Sequence, residues 1–226
     1  MKTAAQTKRV GKSRPLAPRL GTRGKPEESR AAILRAAVGE FADHGVAGAR
    51  TDAIAQAARV NKALLYYYFK DKDTLYEAVL DHVFNGLRER VVPVLETELP
   101  PREKMLQYLA AYFDFIAENP RFPRVVQAEW MRSPGKRTAQ MEGIARQHFR
   151  PIYEKLVEVL RQGIASGDFR PVNPMDFLPS IVAIIVFYFS AAPVIKTLMK
   201  VDPLSPQRIA ERRAFVLDFV SAALFK

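Results

Sequence analysis

Apolar residues recur at intervals of three and four along almost the whole of this chain, and no stretch alternates strictly between apolar and polar positions. That period belongs to helices and excludes half-buried strands, so an all-α fold without a sheet is expected. The 226 residues, 48% of them hydrophobic, suffice for a core shared by a small domain and a larger one.

The helices can be placed from their start and stop signals. Ile33, Leu34, Ala37, Val38 and Phe41 make one face of a first helix that Gly45 stops. Thr51 is expected to cap a short second helix, Asn61 a short third one and Asp71 a long fourth, which Pro93 kinks or shortens. Leu106, Leu109, Phe113 and Ile116 mark a fifth helix, and Phe122 to Met131 a sixth. Ser133-Pro134-Gly135 reads as a turn, and a long helix from Arg137 to Ala165, awkward only at Pro151, stops at Gly167. Asn173-Pro174 and Ser205-Pro206 each set a cap residue before a proline suited to a first turn, and they open the last two helices.

Two short helices joined by Arg59-Val60-Asn61 have the spacing of a helix-turn-helix, whose second helix enters the major groove of DNA. Ile54, Ala55, Ala58, Val60, Leu65 and Phe69 should face a core. Lys62, Ala63, Tyr66 and Tyr67 then lie on another side, Lys70 lies one turn beyond, and Tyr68 falls between the two arcs. Outward tyrosines can touch base edges, thymine methyls and phosphates, and Lys62 is the best donor for a guanine edge. Lys72 opposes the dipole of the fourth helix, an objection that a nearby phosphate would remove.

The segment IAQAARVNKALLYYYFKDKDTLYEAVL resembles the DNA-binding region of the TetR family of transcriptional regulators. The pattern falls on Ile54, Ala55, Ala58, Val60, Leu65, Tyr66, Tyr68, Phe69 and Lys72, and Leu75 continues it. Where the family often has glycine this chain has Arg59, so the turn either avoids a left-handed conformation or holds one at some cost. Asn61 replaces a common serine and does the same capping work, while Ala63-Leu64 replaces a frequent Gly-Thr and removes a hydroxyl suited to phosphate. The resemblance implies a DNA-binding set of Thr51, Asn61, Lys62, Ala63, Tyr66, Tyr67, Tyr68, Lys70 and Lys72 on a helix-turn-helix domain at 27–71. It implies a helical ligand-binding and dimerisation domain at 72–226, a homodimer through the last two helices, and a palindromic double-stranded operator. The function to expect is a ligand-responsive repressor; the alternative is a constitutive or architectural DNA-binding protein whose C-terminal domain only dimerises.

Tyr108, Tyr112, Phe113, Glu129, Trp130, Met131, Tyr153 and Phe187 are the effector-binding candidates, because aromatics with polar tips suit an apolar cavity for an unidentified small molecule. Glu129 can recognise a cation or a donor-rich ligand, or pair with Arg124 or Arg132. Ile209, Val216, Val220 and Ala223 form a stripe on the last helix that fits a contact between subunits or the core of one subunit.

Charge and composition close off other classes. Of the net +11, eight charges sit in residues 1–26, which hold no acidic residue and are too poor in apolar surface to order themselves. This basic arm suits an anionic polymer or is a passive leader. Without cysteine there are no disulfides and no thiolate sites, which suits the cytoplasm, and no apolar run follows the first charges as a secretory signal requires. His44, His82 and His148 lack metal-ligand spacing, and there is no phosphate-binding glycine loop or serine elbow, so neither a cofactor, a metal nor an enzyme is expected. Phe177 to Ile195 carries no charge, but Pro179 and Pro193 interrupt it, so a buried helix rather than a membrane span is expected.

Overall fold

The computed structural model describes residues 26–130 and 142–226; the basic arm expected at 1–26 lies outside them except for Pro26, which already belongs to the first helix, and so do the turn at Ser133-Pro134-Gly135 and the start of the helix expected from Arg137. Helix α1 spans Pro26–Gly48, α2 Thr51–Ala57, α3 Lys62–Tyr68, α4 Lys72–Leu95, α5 Pro101–Glu118 and α6 Phe122–Trp130. A π-helical turn, Ala145–Phe149, leads into α7, Arg150–Ser166; α8 (Pro174–Ser190), α9 (Ala192–Met199) and α10 (Pro206–Leu224) follow. Among the described residues the only β pairing is an isolated bridge between Phe169 and Phe225. The fold is all-α, with a helix-turn-helix arrangement at its N-terminal end and a helical bundle behind it.

In the N-terminal unit α1 packs on α2, α3 and α4, and the apolar positions at helical spacing converge. Ile33, Ala37 and Phe41 from α1 meet Ile54, Leu65, Phe69 and Tyr76, all at most 2% exposed. The Phe41 and Tyr76 rings meet edge to face at 5.0 Å. The bundle is built on α5, which packs against α4, α7, α8 and α10. One apolar cluster runs without a break from α1 to α10, so α4 is continuous with both units.

Several local expectations need correcting. Thr51 does not cap α2: it is already helical, and the cap is Arg50, whose extended backbone N–H donates to Glu40 Oε1 at 2.9 Å. Ser205 stands at the start of α10 without a side-chain cap bond, whereas Asn61, Asp71 and Asn173 accept from the first turns they precede. Pro93 neither ends nor shortens α4, which continues to Leu95. Pro151 is accommodated because the helix widens to a π turn, Ala145–Phe149, directly before it.

The uncharged stretch is not one helix. It breaks at Ala191, and α8 and α9 diverge by 61°. Among the described residues no single helix is long and apolar enough to cross a membrane, although that bent pair passes by length and composition. On α10 the stripe faces inward: Val216 and Val220 are buried in the protomer core and Ile209 packs against it, leaving Ala223 exposed. The outward apolar groups of α10 include Phe215 and Phe219, about half exposed with rings stacked at 5.8 Å, and Phe187 on α8 is 72% exposed.

Candidate functional site

The turn between α2 and α3 fixes how α3 is presented. Arg59 holds a left-handed conformation, φ 58°. Its N–H donates to Gln56 O at 3.1 Å, and the Val60 N–H donates to Ala55 O at 3.0 Å. These two bonds form the Schellman pair that closes a helix, a geometry glycine adopts without a steric penalty. The open alternative at this position is thus resolved toward strain. Arg59→Gly is expected to raise stability by about 0.5–1 kcal/mol, read as a higher urea midpoint; an unchanged or lower midpoint would show that the arginine side chain offsets its backbone.

From there the Asn61 Oδ1 accepts from the Leu64 N–H at 2.6 Å and starts α3. Leu65 and Phe69 bury the inner face, and Arg30 lies over the Phe69 ring at 5.5 Å. The outer face presents Lys62, Ala63, Tyr66, Tyr67 and, just past the helix, Lys70, all exposed. Tyr67 is the most open at 79%, while Tyr68 is half-buried and meets the Tyr67 ring edge to face at 5.3 Å.

Two polar links tie the outer face to α2. Thr51 Oγ1 lies 3.2 Å from the Tyr66 hydroxyl. The Lys62 ammonium pairs with Asp52 at 2.9 Å, a bond that raises its pKa above the ordinary lysine value. Asp52 was not among the residues singled out from the sequence, although an exposed carboxylate in the first turn of a bracing helix was the available signal. Lys72 is half-buried, and its ammonium donates to Ala47 O at 3.1 Å and Ala49 O at 3.3 Å. Those carbonyls offset the unfavourable helix dipole without a phosphate and fasten the start of α4 to the turn before α2.

The bundle carries a second feature, a half-open cavity of about 810 Å³. Its walls come from α4 (Leu87, Val91), α5 (Tyr108, Tyr112), α6, the π turn, α7 (Ile152, Tyr153, Leu156), α8 and the start of α9. Tyr108, Tyr112, Tyr153 and Phe187 from the effector set line it. Phe113 and Glu129 do not: Phe113 is core, 5.5 Å from the Phe189 ring, and Glu129 is buried elsewhere in α6. The expected partner Arg124 instead donates to Asp43 Oδ1 at 3.2 Å. Met131 and the Trp130 side chain lie outside the described residues. The aliphatic walls were invisible as a site, because each reads as an ordinary inward position of an amphipathic helix.

Phe149 walls the cavity and ends the π turn, whose other residues reach α4. Gln147 Nε2 donates to Asp81 Oδ1 at 3.1 Å, and His148 Nε2 lies 3.0 Å from the same oxygen. Burial pushes the His148 pKa down despite the Asp81 carboxylate, so the ring is neutral at neutral pH and bonds Asp81 as an Nε2–H donor. Among the described residues no group of three or more His, Cys, Asp or Glu side chains can hold a metal ion.

Known proteins share both halves of this plan. The family described as "Bacterial regulatory proteins, tetR family" matches residues 33–79, and "Tetracyclin repressor-like, C-terminal domain" matches residues 101–220. The chain is 24% identical over 203 residues to the HTH-type transcriptional repressor NicS of Pseudomonas putida, covering 88% of this chain and 93% of that one. It is 30% identical over 174 residues to the HTH-type transcriptional repressor SCO4008 of Streptomyces coelicolor, covering 77% and 84%. The solved structure of the ketosteroid transcriptional regulator KstR2 of Mycobacterium tuberculosis shares the fold, with a TM-score of 0.69 at 20% identity over 93% of this chain and 98% of that one. With a helix-turn-helix that exposes its tyrosines, a helical bundle behind it and sequence matches across both, the chain belongs to the TetR family of transcriptional regulators.

Proposed function

We propose that the protein is a ligand-responsive repressor that binds a palindromic operator as a homodimer and is released when a small apolar or amphipathic molecule enters the bundle cavity. The observation that carries this reading is the double duty of α4. At its start, Lys72, Leu75 and Tyr76 fasten it to the DNA-reading unit; farther along, Leu87 and Val91 wall the cavity. The Asp81 clasp adds a polar link from the cavity's π turn to the same helix. A ligand that displaces the walls therefore acts on the helix that seats the reader. The division at 27–71 and 72–226 follows the same logic, with α4 as the shared lever.

Dimerisation is proposed through α8 and α10, with Phe187, Phe215 and Phe219 in the contact, since these are the exposed aromatic side chains of those two helices. Both curated relatives described above carry the word repressor in their names, which supports the sign proposed here. A cytoplasmic location follows from action on chromosomal DNA.

Selection from a random duplex library with the purified full chain tests this reading. The expected result is an enriched palindrome with half-sites about 34–36 Å apart, or a multiple of that, bound by two or four chains. Failure to enrich any two-fold symmetric site would contradict it.

A further inference from the structure

We infer that the cavity selects an uncharged, largely apolar ligand by one hydrogen-bond-accepting group, which the paired hydroxyls of Tyr108 and Tyr112 hold, and that it discriminates against the corresponding carboxylate. The inference rests on the cavity being the effector site.

Tyr108 and Tyr112 stand one turn apart on α5 with rings nearly parallel, 5° between their planes and 6.0 Å between centroids. Both line the cavity, and they are only 4% and 5% exposed. Neither hydroxyl is among the polar side-chain atoms sealed off without a partner in the described core, so both rings present their hydroxyls on a wall that a guest can reach. Two neighbouring phenols one turn apart on the same cavity wall make a site for an acceptor. Burial pushes both phenols' pKa upward, so each stays protonated and offers an O–H donor.

The rest of the lining decides the charge of the guest. Among the described residues no lining side chain is Asp, Glu, Lys, Arg or His. An ionised carboxylate moved into such surroundings loses its hydration with no counter-charge to replace it, whereas an ester, ketone or amide loses little and gains the phenol bonds. Tyr153 contributes less, because its hydroxyl already donates to the Met175 sulfur at 3.2 Å. A volume of about 810 Å³ leaves room for a drug-sized molecule.

The test uses the full chain and the neutral fluorescent probe N-phenyl-naphthylamine, displaced in parallel by methyl laurate and by laurate in mildly alkaline buffer. The wild type should take up the probe, and the ester should displace it at a concentration at least about tenfold below that of the carboxylate. The double variant Tyr108→Phe, Tyr112→Phe keeps the apolar walls, so it should bind the probe as before while its affinity for methyl laurate falls by about 5- to 100-fold. Equal or better displacement by laurate would overturn the exclusion of charge. Unchanged ester affinity in the double variant, or loss of probe binding together with ester binding, would overturn the role of the hydroxyls. A wild-type protein that takes up no probe would instead overturn the cavity as a ligand site, which separates failure of that reading from failure of the ligand class.

Discussion

Leu65→Ala is expected to destabilise the protein by about 2–5 kcal/mol, as removal of a fully buried leucine does where the surroundings relax only partly. Leu65 is wholly buried at the centre of the DNA-reading unit, so the loss falls on the part that must be rigid to fit a groove. Two positions along the same short helix the expectation reverses. Tyr67→Ala should change stability by less than about 0.5 kcal/mol, because 79% of that residue is exposed. It should nonetheless weaken operator binding about 5- to 150-fold and alter sequence preference, as loss of a base-edge contact does. Urea unfolding and operator titration of the two variants check both halves. A Tyr67→Ala protein that binds the operator as wild type would remove the tyrosine face from the interface.

Gly163→Ala should cost roughly 2–4 kcal/mol, the opposite of what helix propensity alone demands. In an open helix the change would gain about 1 kcal/mol. Here a Cβ built on Gly163 falls inside the ring of Phe169, which is fully buried, so the ring must move. Expelling such a ring forfeits about 3–5 kcal/mol. The consequence reaches past one contact: Phe169 stacks on Phe225 at 5.3 Å, and Arg170 N–H donates to Leu224 O at 2.8 Å, so the ring pins the end of α7 to the end of α10. Thermal or urea unfolding reads the effect, and a stabilised variant would show that the ring can swing aside.

How much of this was legible beforehand depended on whether the deciding partner was near in sequence. Leu65 and Phe69 declared their inward face by a spacing of four, and Asn61 and Asp71 announced helix starts because the N–H groups they accept from lie three residues on. Thr51 failed as a cap since the residue that secures Arg50 is Glu40, on the preceding helix. On α10 two adjacent stripes, Val216 with Val220 and Phe215 with Phe219, carry the same period. Only the packing of neighbouring helices decides which one turns inward. The break at Ala191 was signalled by Pro193, which takes the first turn of α9, whereas Pro179 lies inside α8 without ending it. The cavity was legible only in its aromatic members, because nothing in a sequence distinguishes Leu87 or Ile152 beside empty space from the same residue against a neighbour.

The link from cavity to reader is the central claim, and operator affinity measured with and without a cavity-filling ligand tests it most directly. With the selected operator and a molecule shown to displace the fluorescent probe, affinity should fall by about 5- to 150-fold at saturating ligand, the usual range of coupling between two sites. A ligand that occupies the cavity yet leaves operator affinity unchanged, or raises it, would contradict the account.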